Sequence, residues 1–152
     1  RWADGALSSE WKLPNGIVFG ARVVPQTNGA DLELWLTNGT PAKLTGLRTQ
    51  ICLMLKAAHG FNEQSQTGKD YAKPIALAKA RDADRHDLLA FERCGRAWGN
   101  PPCPCVHSDP VLPDAAPGER VSVRGRLRFY EGANVADARR RLLEGMSDSA
   151  NR

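Results

Sequence analysis

ERVSVRGRLRFYEG, Glu119 to Gly132, alternates apolar and polar residues along its length. Val121, Val123, Gly125, Leu127 and Phe129 share one parity, with polar residues between them. Successive side chains of an extended chain point to opposite faces, so this pattern is a β-strand with one apolar face. The Ala116-Pro117-Gly118 turn just ahead of it punctuates the entry to the strand.

Working outward, the same period recurs. IVFGARVV (17–24) reads as a strand, and PQTNGAD (25–31) behind it is turn-forming. In LELWLT (32–37), Leu32, Leu34 and Leu36 lie on one face, and Glu33, Trp35 and Thr37 on the other. After the Gly- and Pro-containing connection NGTPAKLTG (38–46), Leu47, Ile51, Leu53 and Leu55 take one parity, while Arg48, Gln50, Cys52 and Met54 take the other. These strands bury leucines on one side and present a mixed aromatic and polar side on the other.

The segment GFNEQSQTGKDYAK (60–73) is polar and Gly-containing and is expected as a floppy exposed loop. PIALAKA (74–80) and LLAFERC (88–94) form a second hairpin around RDADRHD, a charged turn in which His86, like His59 further upstream, is expected to face solvent. Only the tail is helical by pattern: Asn134 caps VADARRRLLEGM, in which Val135, Ala138, Leu142 and Met146 recur at helical spacing. Strands throughout with one terminal helix give an all-β antiparallel sandwich, supersandwich-like or barrel-like, and no helical pattern separates strands as a parallel sheet requires. The expected organisation is a sandwich over residues 1–132, an amphipathic helix over 133–147 and a disordered tail over 148–152.

At 152 residues the chain is the size of one domain with a real core. Its longest apolar run, ICLML, is too short to cross a bilayer. The formal charge of +4 comes from basic residues that are scattered apart from Arg139, Arg140 and Arg141, which argues against a nucleic-acid partner. The chain starts at Arg1 with no initiator Met or signal-like segment, so it reads as a processed or excised piece, and its compartment is not legible. Asn38-Gly39-Thr40 matches both an N-glycosylation acceptor and an ordinary β-turn. A phosphate-binding Gly-rich loop, an HExxH helix and a GxSxG elbow do not occur, which weighs against nucleotide-dependent, zincin and serine-hydrolase chemistry.

CGRAWGNPPCPCVHSDP (94–110) concentrates the chemistry, with three of the four cysteines. Three readings compete. If extended, Cys103, Cys105, His107 and Asp109 project to one side, and Cys94, Cys103, Cys105 and His107 make a thiolate and imidazole set suited to zinc or copper. Pro101, Pro102 and Pro104 favour instead polyproline geometry, which fans these side chains around an axis. Alternatively Cys94 pairs with Cys103 or Cys105 in a disulfide that closes a short loop, which requires an oxidising compartment. In the third reading the prolines stiffen a scaffold in which Trp98, near Arg96, offers an indole face to a sugar and His107 and Asp109 bond its hydroxyls. Trp35, Arg48 and Gln50 then form a second wall. Cys52, alone in an apolar run, reads as a small buried hydrophobe.

LELWLTNGTPAKLTGL (32–47) resembles the strand, Thr-Asn turn and returning strand of the galactose mutarotase (aldose 1-epimerase) superfamily, and DPVLPDAAPGERVSVRGRLRF (109–129) resembles its closing segment. The resemblance implies a supersandwich and a carboxylate general base at Asp109, with Asp in place of the usual Glu. The histidine expected on the returning strand is replaced by the region of Gln50 and Ile51, so a descendant that binds or processes saccharides fits better than intact mutarotase chemistry. His107 is then the candidate acid. The chain is also similar to uncharacterised bacterial proteins that share WGNPPCPC and HSDP. Besides a saccharide partner, two alternatives stand: a metalloprotein, and an assembly module whose Arg-rich helix docks on an upstream domain or a second copy.

Overall fold

The computed structural model describes residues 5–146 in full, with the backbone alone for Trp2–Ala3 and for 147–150. The elements in chain order are β1 (Trp2–Ala3), β2 (Ala6–Lys12), β3 (Val18–Gln26), β4 (Gly29–Thr37), β5 (Cys52–Met54), β6 (Lys69–Asp70), β7 (Ile75–Lys79), β8 (Arg85–Phe91), β9 (Cys94–Trp98), β10 (Cys105–Pro110), β11 (Arg120–Glu131) and α1 (Val135–Ala150). All pairings are antiparallel. An 8-stranded sheet runs in the order β1-β2-β3-β4-β11-β8-β7-β6, and a 3-stranded sheet in the order β5-β10-β9. The large sheet is open, with β1 and β6 at its edges. The sandwich expected from the sequence is present and the barrel is not.

β11 is the spine. Its register sets Val121 against Leu36, Val123 against Leu34 and Gly125 against Leu32 on β4, and Gly125 against Phe91 and Leu127 against Leu89 on β8. The face predicted as apolar is the one that meets the small sheet, in a core of Leu89, Phe91, Val121 and Val123 joined by Leu32, Leu34, Leu36, Leu47, Ile51 and Leu53. Gly125 belongs there for a steric reason: a Cβ on it would lie 2.6 Å from Cε1 of Phe91, whose ring occupies that space. A second patch unites Ala76, Ala78 and Ala80 with Val106, Leu55 and Phe61.

On the opposite face, α1 lays Leu142 and Met146 on Ile75, Leu77, Leu88 and Ala90. Asn134 caps it, its Oδ1 accepting from the Asp137 amide. The helix is therefore engaged by its own sheet, and its arginines are paired within the chain: Arg139 with Asp70, Arg140 with Asp137 and Glu144, Arg141 with Asp137. The backbone of 148–150 continues α1, whereas the tail was expected from 148; residues 151–152 lie outside those described.

Three local expectations change. The segment 60–73 is not floppy throughout, because Phe61 enters the core and Lys69–Asp70 pair with β7 as β6. His86 is buried rather than solvent-facing, since α1 covers that face and its ring sits 6.0 Å from Tyr130. Asn38 is buried, donating to the carbonyls of Ala42 and Ala115 and accepting from Thr40, so the Asn-Gly-Thr triplet is a structural corner and not an accessible acceptor.

Candidate functional site

The outer face of the small sheet gathers most of the side chains singled out by sequence. β10 is extended, not polyproline-like, and sets Cys105, His107 and Asp109 on one side, with Val106 turned inward to the core. The prolines instead shape the β9–β10 turn, where the Cys103 amide donates to Asn100 O and the Cys105 amide to Cys103 O. That turn returns the chain so that Trp98 lies opposite His107 and Arg96 opposite Asp109. On the other flank Cys52 lies opposite His107.

Residues 48–51 continue alongside β10 ahead of β5: Arg48 bridges Val111, the Thr49 amide donates to Pro110 O, and the Ile51 amide donates to Asp109 Oδ1 at 3.1 Å. The predicted parity holds, with Arg48, Gln50, Cys52 and Met54 exposed and Leu47, Ile51, Leu53 and Leu55 turned to the interior.

Arg96, Trp98 and His107 form a stack. The guanidinium carbon sits 4.1 Å from the indole centroid, and indole and imidazole are parallel to within 21° at 4.3 Å. Trp98 is thus stacked within the protein by both Arg96 and His107, where the sequence suggested an indole face offered to a sugar. Asp109 ties the stack together: its Oδ2 accepts from Arg96 Nε (3.2 Å) and an Arg96 terminal nitrogen (2.9 Å), and from Trp98 Nε1 (2.6 Å). With Oδ1 taken by Ile51, four donors converge on one carboxylate that is only 8% exposed.

His107 is 3% exposed. Burial lowers its pKa, opposed by the nearby Asp109 carboxylate. Nε2 lies 3.2 Å from Cys105 Sγ, and Nδ1 lies 3.8 Å from Asp109 Oδ1 without a hydrogen-bond partner among the described residues.

All four cysteines are free thiols, so the disulfide is not formed. The ligand atoms of Cys52, Cys105 and His107 lie within 4.8 Å of one another. Cys52, read from sequence as buried, is exposed and belongs to this group; the signal was its shared parity with Arg48 and Gln50. Its thiol is pushed up to about 11 by desolvation and by the adjacent Cys105 thiol. Cys103 acts electrostatically on Cys52 from the turn. Cys94 is not brought in: it pairs with Pro110 at the far end of the sheet.

At that far end, Arg48, Thr49, Gln50, Gly95 and Arg96 border an open groove of about 400 Å³ over Asp109. Trp35 is not part of it. It lies on the outer face of the large sheet, over Gly20 and beneath the Arg120 guanidinium 3.9 Å from its ring. Among the described residues no helix is long and apolar enough to cross a membrane.

The fold and this face define an open antiparallel β-sandwich with a polar, thiol-bearing outer surface on its smaller sheet. Among solved structures the chain is similar to one described as "Putative kojibiose phosphorylase from human microbiome", at a TM-score of 0.56 and 9% identity over 97% of this chain. The chain spans 21% of that protein's length, and the likeness is one of fold. No protein-family model and no curated protein matches the sequence.

Proposed function

We propose that this chain is a saccharide-contacting β-sandwich of a carbohydrate-processing protein, with the groove of Arg48, Gln50 and Arg96 as its contact surface. The observation that carries the reading is convergence: polar residues singled out in two separate stretches of sequence, Arg48 with Gln50 and Arg96, line one open groove. Guanidinium and amide groups offer the fixed donors and acceptors that vicinal hydroxyls need, and Asp109 holds Arg96 in place from below. The fold likeness to a protein described as a kojibiose phosphorylase agrees with this reading, as does the resemblance of 32–47 and 109–129 to mutarotase segments.

In this reading Asp109 positions the groove wall and does not serve as a general base, because its Oδ2 is held by Arg96 and Trp98 while its Oδ1 accepts from the Ile51 amide and faces His107. His107, stacked beneath Trp98 and aimed at Cys105, likewise contributes no acid to the groove.

Calorimetric titration with a panel of glucose disaccharides tests it. The parent binds at least one, and the Arg48→Ala, Gln50→Ala double variant, altered only at exposed positions, loses that binding while keeping its melting temperature. A parent that binds no saccharide, or a double variant that binds unchanged, removes the reading.

A further inference from the structure

Further along the same sheet face, chemistry of a different kind is assembled, joined to the groove through Asp109. Two thiols and an imidazole from two neighbouring strands lie within 4.8 Å of one another. In a tetrahedral zinc site with Zn–S near ~2.3 Å and Zn–N near ~2.0 Å, ligand atoms are separated by roughly 3.5–3.8 Å, so the three groups need only a small closing motion. Cys105 is buried on the central strand and His107 is held by Trp98, whereas Cys52 is exposed on the edge strand β5.

The imidazole is arranged as a ligand's would be. Nε2 faces Cys105 Sγ at 3.2 Å, and Nδ1, buried and with no hydrogen-bond partner among the described residues, faces the Asp109 carboxylate at 3.8 Å. A small approach of that carboxylate to Nδ1 would hold the tautomer that leaves the Nε2 lone pair free, the usual support of a metal-bound histidine. Asp109 is itself immobilised by Arg96, Trp98 and the Ile51 amide, so the carboxylate, the imidazole and the thiols run in one line from the groove to the cluster.

We propose that Cys52 Sγ, Cys105 Sγ and His107 Nε2 bind a zinc ion, with Asp109 as the support of His107. Both thiols give up their protons on binding, so two protons are released per ion and the ligand set is neutral overall with Zn²⁺. The open fourth position lies on the Cys52 side, where the cluster meets solvent.

Cobalt(II) replaces zinc as the probe, because thiolate ligation gives it a charge-transfer absorption. The full chain, reduced and stripped of metal, is titrated with Co²⁺ and then back-titrated with Zn²⁺. One equivalent of Co²⁺ develops the thiolate band in the parent, and Zn²⁺ displaces it. Cys52→Ser, at an exposed position that the fold tolerates, abolishes the band. Asp109→Asn weakens Co²⁺ binding by about 10- to 100-fold, and Cys94→Ser leaves it unchanged. A parent with its thiols reduced that shows no band overturns the proposal, as does a Cys52→Ser variant that binds like the parent or a Cys94→Ser variant that does not bind.

Discussion

The imidazole of His107 and the indole of Trp98 lie parallel with centroids 4.3 Å apart, across the β9–β10 register that makes them direct neighbours. Trp98 also donates its Nε1 hydrogen to Asp109 at 2.6 Å, so one residue both roofs the histidine and anchors the carboxylate. The two contributions separate by substitution. Trp98→Phe keeps an aromatic roof and loses a hydrogen bond to a charged acceptor, for an expected loss of about 1.5–3 kcal/mol. Trp98→Ala loses the roof as well and falls by about 3–5 kcal/mol. Urea denaturation of the two variants checks the order, and equal losses would show that the ring contributes nothing beyond its nitrogen.

Asp87 is placed on the core-facing side of β8, opposite Phe129 and Ala78, and burial raises its carboxyl to about 6. An unfolded chain releases that proton near pH ~4. Between pH 4 and 6 the folded state therefore holds a proton that the unfolded state has lost, and stability falls as pH rises through this window. Below it the penalty is absent, and above it the penalty is complete. Asp87→Asn is expected to flatten that slope and to stabilise the protein at pH 7 by about 2 kcal/mol, a figure already reduced for solvent screening. Melting temperatures of parent and variant from pH 4 to 8 decide it: parallel curves would refute the assignment.

Gly125 is a packing requirement of Phe91, not of the backbone. A methyl there meets the Phe91 ring at 2.6 Å, and overpacking of this kind costs about 1–3 kcal/mol. Gly125→Ala should therefore be strongly destabilising in the parent and much less so on a Phe91→Leu background. A double-mutant cycle with a coupling of at least about 1 kcal/mol is the expected result. Additive effects would mean that the glycine is needed for some other reason.

Asn38 closes the corner between β4 and the following segment with its whole amide, holding the carbonyls of Ala42 and Ala115. Asn38→Ala leaves buried acceptors unsatisfied and is expected to cost about 2–4 kcal/mol, read by chemical denaturation. Expression in a host that glycosylates secreted proteins should yield unmodified Asn38 by intact mass, because its side chain is inside the fold.

Much of this was legible residue by residue. The alternation in 119–132 and 32–37 identified the leucine and valine faces that form the core, and the parity of Arg48 and Gln50 marked the face that carries the groove, whereas Cys52 on that same face was read as buried. Helical spacing in 135–146 identified the side of α1 that docks. Each reading rests on local geometry: a period of two or of 3.6 assigns a side chain to a face without reference to the rest of the chain.

What sequence periodicity does not carry is which strands become neighbours. Cys52 and His107 are brought opposite each other by a pairing that closes a long loop, and Cys94, only nine residues before Cys103, is left at the other end of the same sheet. Trp35 shares its chemistry with Trp98 but lies on the other sheet. The sequence by itself determined an antiparallel β-sandwich with one helix and the side of each strand that faces the core. The tertiary structure alone decided which polar side chains meet, because register and sheet partner follow from long-range packing, and a thiol becomes a possible ligand only when a distant imidazole is set beside it.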